Sequence, residues 1–135
     1  KSPFNKIFGD SHLELEFASF LENCDDIISY VKNYFAVQFK IDYRNATGEI
    51  SNFFPDFIIK KSEEEIYIVE TKGREDLDDP LKIKRLAQWC EDINQNQNKV
   101  KFNWLYVKED EFKKDKIRSF KDLINMFIIK NEPTK

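Results

Sequence analysis

The chain is poor in the residue types that most nucleotide and metal motifs require. It has three glycines, none in a loop that could wrap the phosphates of a nucleotide, so an ATP site within this chain is excluded. A single histidine, His12, and two cysteines far apart in sequence, Cys24 and Cys90, cannot assemble a four-ligand zinc centre. Both cysteines fall on apolar stripes of predicted helices and read as buried reduced thiols, which predicts a cytoplasmic protein rather than a secreted one. No apolar run approaches the roughly 20 residues that span a bilayer, and no leader pattern is visible, so no membrane partner is expected. A positive excess is missing as well: the net charge is −3 and the pI about 5.3. That balance excludes the overall basic surface of a free-standing nucleic-acid binder, so any such contact has to come from local patches or from the rest of a larger protein. The first residue is Lys1 rather than methionine, and the expectation is a domain excised from a longer chain.

What the chain does have is core-forming material. Hydrophobic residues make up 41% and thirteen are phenylalanine, enough for one domain over residues 1–135, with 1–10 as a linker or docking segment. From Ser11 the apolar positions Leu13, Phe17, Phe20, Leu21, Cys24, Ile27, Ile28 and Val31 recur at three- and four-residue spacing and predict a helix to about Asn33. Alternation predicts a strand from Tyr34 to Tyr43, followed by a turn at Asn45-Ala46-Thr47-Gly48. After a central hairpin, the acidic stretch from Arg74 leads to Asp79 and Pro80 as cap and first residue of a second helix. That helix buries Ile83, Leu86, Ala87, Cys90 and Ile93. The stretch Val100 to Val107 alternates as a fourth strand whose aromatic side chains belong to the core, and Ser119-x-x-Asp122 caps a last helix. Helix, strand, strand, strand, helix, strand, helix is the order of a three-layer α/β/α fold on a mixed four-stranded sheet, with a parallel crossover through the second helix.

Phe53 to Gly73 is the organising stretch. A three-residue loop of Ser62, Glu63 and Glu64 would pair Lys61 with Glu65, Ile58 with Ile68 and Asp56 with Glu70. Carboxylates opposed across a strand pair repel unless a cation or a shared proton lies between them. Alternation places Ile66, Ile68, Glu70 and Lys72 on one face, so the hairpin predicts a cation site with an ammonium beside it. A buried ion pair in which Lys72 neutralises both acids is the competing explanation.

Pro55-Asp56 followed by Glu70-Thr71-Lys72 resembles the signature of the PD-(D/E)XK nuclease superfamily. The wider run PDFII…IYIVETKGRED…K…AQWCED is most similar to the C-terminal endonuclease domain of the restriction subunit of type III restriction–modification enzymes. A second Glu-x-Lys, Glu111-Phe112-Lys113, lacks both the apolar strand before it and an upstream Pro-Asp. The resemblance implies a restriction-endonuclease-like core that hydrolyses DNA. Asp56, Glu70 and the Thr71 main-chain carbonyl would bind Mg²⁺, with Mn²⁺ as a substitute, and Lys72 would stabilise the reacting phosphate. It further implies double-stranded DNA as partner, an ATP-dependent helicase-type motor in the parent chain, and a methyltransferase subunit. Glu14 has two readings: Ser11-x-x-Glu14 fits a capping box, while Glu14, Phe17 and Leu21 match the family's first-helix acid motif, which would add Glu14 to the catalytic and metal set. Lys84, Arg85 and Gln88, on the helix after the Glu-x-Lys strand, become candidates for DNA contacts. A docking module that keeps the fold without catalysis, and a repair or junction-resolving nuclease, are the alternatives.

Overall fold

The computed structural model describes residues 12–33, 37–114 and 117–131, the last four as backbone only. In chain order the elements are α1 (His12–Glu22), β1 (Ser29–Lys32), β2 (Ile41–Arg44), β3 (Ile50–Phe53), β4 (Phe57–Ser62), β5 (Glu65–Lys72), α2 (Asp79–Asn96), β6 (Lys101–Lys108), α3 (Glu109–Lys114) and α4 (Phe120–Asn131). The main sheet runs β1-β4-β5-β6, with β1 and β5 antiparallel to β4 and β6 parallel to β5. β2 and β3 form a separate antiparallel ribbon.

Two apolar clusters lie on opposite faces of this sheet. On one face Phe17, Ala18 and Leu21 of α1 and Phe120 and Leu123 of α4 pack on Tyr30, Phe57, Ile59, Tyr67, Val69, Leu105 and Val107. Phe17 sits at its centre, with ring centroids 5.7, 5.1 and 5.4 Å from Phe20, Phe57 and Phe112. On the other face Leu86 and Cys90 of α2 pack with Ile68 and with Ile41, Tyr43 and Phe53 of the ribbon. The result is the expected three-layer α/β/α fold on a mixed four-stranded sheet. Both cysteines are buried and neither forms a disulfide among the described residues, and burial pushes the Cys90 thiol up to about 12. Phe102 and Trp104 of β6 pack against the α2 cluster, in keeping with a core role. Among the described residues no helix is long and apolar enough to cross a membrane.

The expected first helix does not reach Asn33. It ends at Glu22; Cys24, Ile27 and Ile28 fall in the connection that follows, and Val31 lies in β1. The free edge of β4 takes up this segment: Ile28 donates its main-chain N–H to Lys60, and Ser29 to Lys32 pair with Lys60 to Phe57. Between helix and strand, Asp26 accepts hydrogen bonds from the Phe120 and Lys121 amides at 3.0 and 2.9 Å, capping α4 from far away in sequence. β1, rather than the expected 34–43 segment, is therefore the sheet's outer strand. Of that segment 34–36 lies outside the described residues, 37–40 is irregular, and the part from Ile41 belongs to the ribbon. The expected turn joins the ribbon's strands, with Gly48 at φ +86° and its N–H bonded to the Asn45 carbonyl at 2.9 Å.

The hairpin turn also differs from expectation. Ser62, not Lys61, pairs with Glu65, and the register shifts between Lys60 and Ser62, so Lys61 is taken up as a bulge. Beyond it Ile58 faces Ile68 as expected, and the ladder ends at Phe57 opposite Val69, leaving Asp56 level with Glu70. Ser119 caps α4 through the Asp122 amide at 3.1 Å, as the sequence indicates.

Phe57 is fully buried between α1 and the sheet. Phe57→Ala is expected to cost about 3–5 kcal/mol of unfolding free energy, measured by urea titration, because the cavity abuts a ring cluster that cannot collapse into it.

Candidate active site

The ends of β4 and β5 bring together acids and lysines from four elements. Asp56 enters just after the buried Pro55, and its position is set through Asn33. The Asn33 amide donates to the Asp56 carbonyl at 2.7 Å, and the Asn33 side chain donates to the Pro55 and Phe39 carbonyls at 2.8 and 2.7 Å. A buried Asn that satisfies several main-chain groups at once holds the Pro55-Asp56 peptide in one place. The Asp56 carboxylate then accepts the Thr71 amide at 2.9 Å and the Thr71 hydroxyl at 2.7 Å, which locks it across the end of β5.

Glu70 lies beside it, 7% exposed. Its Oε1 is buried and accepts no hydrogen bond from any described residue. Burial, then the negative Asp56 carboxylate and a hydrogen bond shared with it, push the Glu70 carboxyl up to about 10, while the positive Lys72 and Lys82 oppose the rise. At neutral pH the pair is thus held by a shared proton, one of the two ways two opposed acids can coexist. Lys72 projects from Glu70's face of β5, but its Nζ is 3.3 Å from Asp79 and 3.8 Å from Asp76. Hydrogen bonding and the charges of Asp79, Asp76 and Glu70 raise its pKa despite the opposing effect of burial, so the ammonium stays charged. The competing explanation in which Lys72 alone neutralises Asp56 and Glu70 does not match this pairing.

Glu14 is 6% exposed on α1, and its Oε1 is 2.7 Å from the Nζ of Lys32. The capping-box reading of Glu14 falls on Ser11, outside the described residues. Lys32 lies 3.6 Å from Asp56 Oδ1 as well, so the structure joins Glu14 to Asp56 through a lysine that sequence reasoning passed over. Lys32 was hidden because its segment reads as helix, where it would fall off the apolar stripe; in β1 it shares the core-facing side with Tyr30.

Asp79 is the second residue that the sequence concealed. Expected as a helix cap on a solvated acidic loop, it is the first residue of α2 and 2% exposed. Its Oδ2 accepts the Asp76 amide at 2.7 Å, and its Oδ1 faces Lys72 and, at 3.9 Å, Lys82. Lys82 also lies over the Tyr43 and Phe53 rings, each centroid 5.9 Å away, which ties the ribbon to the site's rim. Of the DNA-contact candidates, Lys84 is exposed, Arg85 donates to the Asp42 carbonyl at 3.1 Å, and Gln88 donates to Asp92 at 2.8 Å.

The donor set expected for a cation is two carboxylates, Asp56 and Glu70, with the Thr71 carbonyl; the structure brings the two acids together. No group of three or more His, Cys, Asp or Glu side chains converges with metal-binding geometry among the described residues. Two carboxylates with a carbonyl would suit a small hard cation that keeps several waters, and Glu70 Oε1 has no hydrogen-bond partner among the described residues.

The elevated Glu70 pKa makes stability depend on pH. The folded state holds a proton that the unfolded chain releases near 4.5, so this contribution is full below that pH and is lost as pH rises toward about 10. In metal-free buffer, Glu70→Gln is expected to remove a loss of up to about 1.4 kcal/mol per pH unit within that window. Thermal melts from pH 5 to 9 should then show the variant gaining on the parent as pH rises; parallel curves would overturn the assignment.

No curated protein and no solved structure matches the chain. The profile of a family described as an endonuclease domain matches residues 1–110, a stretch that includes every strand and the acids and lysines of this site. The chain belongs to that endonuclease domain family and is a restriction-endonuclease-like nuclease.

Proposed function

We propose that the domain is a Mg²⁺-dependent endonuclease acting on double-stranded DNA, and that it is the cleavage module of a type III restriction enzyme. The observation that carries the metal reading is the buried, partnerless Glu70 Oε1 beside Asp56. Two acids in such a place are costly to ionise together, and a divalent cation removes that cost while giving Oε1 a partner. Asp56, Glu70 and the Thr71 carbonyl would hold it. When bound, Mg²⁺ supplies Lewis-acid polarisation of the phosphate and a more acidic water.

The protein's own groups do the rest. Thr71 fixes the orientation of Asp56 through two hydrogen bonds, so this ligand needs no ordering when substrate arrives. Lys72, held charged by Asp79 and Asp76, does not abstract a proton at neutral pH; it offers positive charge to the phosphate as negative charge accumulates there. Glu14 acts through Lys32, which it contacts directly. Lys84, exposed on α2, is the remaining candidate for a phosphate contact, because Arg85 and Gln88 are engaged within the domain. Similarity of the PDFII…AQWCED run supports the type III assignment, and with it an ATP-dependent motor in the parent chain and a methyltransferase partner.

Cleavage of supercoiled plasmid by the parent protein in Mg²⁺ is expected to fall by roughly 10²-fold or more in Lys72→Ala, the loss typical of removing one group that stabilises transition-state charge. DNA binding without cleavage under any divalent metal would instead mark a docking module, and activity confined to branched DNA a junction-resolving nuclease. Calorimetry with Mn²⁺ should show binding that Asp56→Ala abolishes. At pH 7–8 uptake should release about one proton per ion, because Glu70 must ionise to become a ligand.

A further inference from the structure

Lys32 is the group that the proposed mechanism leaves without a chemical role. Its side chain is 5% exposed, and its ammonium is 2.7 Å from Glu14 Oε1 and 3.6 Å from Asp56 Oδ1. It also donates to the Asn33 carbonyl at 3.4 Å and lies 5.5 Å from the centroid of the Phe57 ring. Strand pairing of Lys32 with Phe57 anchors the backbone beside Asp56, so the ammonium is delivered by the sheet itself. A buried ammonium on the core-facing side of a strand is retained only where carboxylates compensate it, and Glu14 and Asp56 do so. It stands where a cation bridging those two acids would stand.

We propose that Lys32 is a resident cation that takes the place of a second metal ion, so that this nuclease binds a single divalent ion per chain. The proposal rests on the metal reading given above. Charge balance supports it. Among the described residues, Glu14, Asp56 and Glu70 carry three negative charges when ionised; Lys32 supplies one positive charge and a single divalent ion two, which leaves the cluster neutral. Lys72 and Lys82 are matched separately by Asp76 and Asp79. A second divalent ion would leave two uncompensated positive charges in a buried site and would have to displace an ammonium fixed by strand pairing. Glu14 on this view is a positioning residue: it holds Lys32 against Asp56 and does not itself bind metal.

The test counts Mn²⁺ ions per chain from the paramagnetic resonance of the free ion, taking only those ions whose binding Asp56→Ala abolishes. One ion is expected in the parent protein and two in Lys32→Gln, where Glu14 and Asp56 lose the ammonium between them and a second ion can take its place. The double variant Lys32→Gln with Glu14→Gln removes one charge of each sign, guards against misfolding of the single variant, and is expected to bind one. Two ions in the parent protein, one in a folded Lys32→Gln, or two in the double variant would overturn the resident-cation role while leaving the metal reading intact. No Asp56-dependent ion in the parent protein would overturn both.

Discussion

Everything at the candidate site depends on the antiparallel pairing of β4 with β5. Because Ile58 faces Ile68 and Phe57 faces Val69, Asp56 is carried to the level of Glu70, and the two carboxyls meet at the buried end of the ladder. Neither acid could tolerate that place alone. Their repulsion is relieved by a proton on Glu70 and by Lys32 beside Asp56, and this leaves the site strained in charge. The bulge at Lys61 shows where the chain absorbs irregularity: it is taken up next to the turn, where it costs little, while the register at the functional end is kept.

The other layers support that junction. α1 brings Glu14 to Lys32, and the aromatic cluster around Phe17 fixes α1 on the sheet. On the opposite face α2 delivers Asp79 to Lys72, and the ribbon is tied to the start of α2 by the Tyr43 hydroxyl and the Ala46 amide, both bonded to Asp78 at 3.0 Å. Four acids and three lysines are thereby sorted into two neighbouring groups: Asp56 and Glu14 around Lys32, and Asp79 and Asp76 around Lys72 and Lys82. Glu70 lies between them with one oxygen uncommitted. Such sorting gathers compensated charge at one end of the sheet on a chain whose overall charge is negative.

Features governed by short-range rules were legible from the chain. Alternation along β5 and β6, the Ser119 cap, the Asn45 to Gly48 turn and the helix from Asp79 all depend on spacing and local hydrogen bonding, and they appear within a residue or two of expectation. The pairing of Ile58 with Ile68 was legible from the apolar faces of the two runs; the turn itself differs from expectation, and the bulge at Lys61 restores the register that those faces require. Residues 24–33 read as helix because Cys24, Ile27, Ile28 and Val31 satisfy a helical period, whereas β1 buries Tyr30 and Lys32 instead, and nothing local shows that β4 has a free edge to fill.

The sequence by itself therefore determined the hairpin, the level of Asp56 with Glu70, and the three-layer order, because each follows from the periodicity of the apolar residues. Tertiary structure alone decided which lysine meets which acid. Lys72 goes to Asp79, and Lys32 fills the gap between Glu14 and Asp56. These partners are far apart in the chain and are selected by the cost of burying unpaired charge, a quantity that exists only once the layers have closed around it.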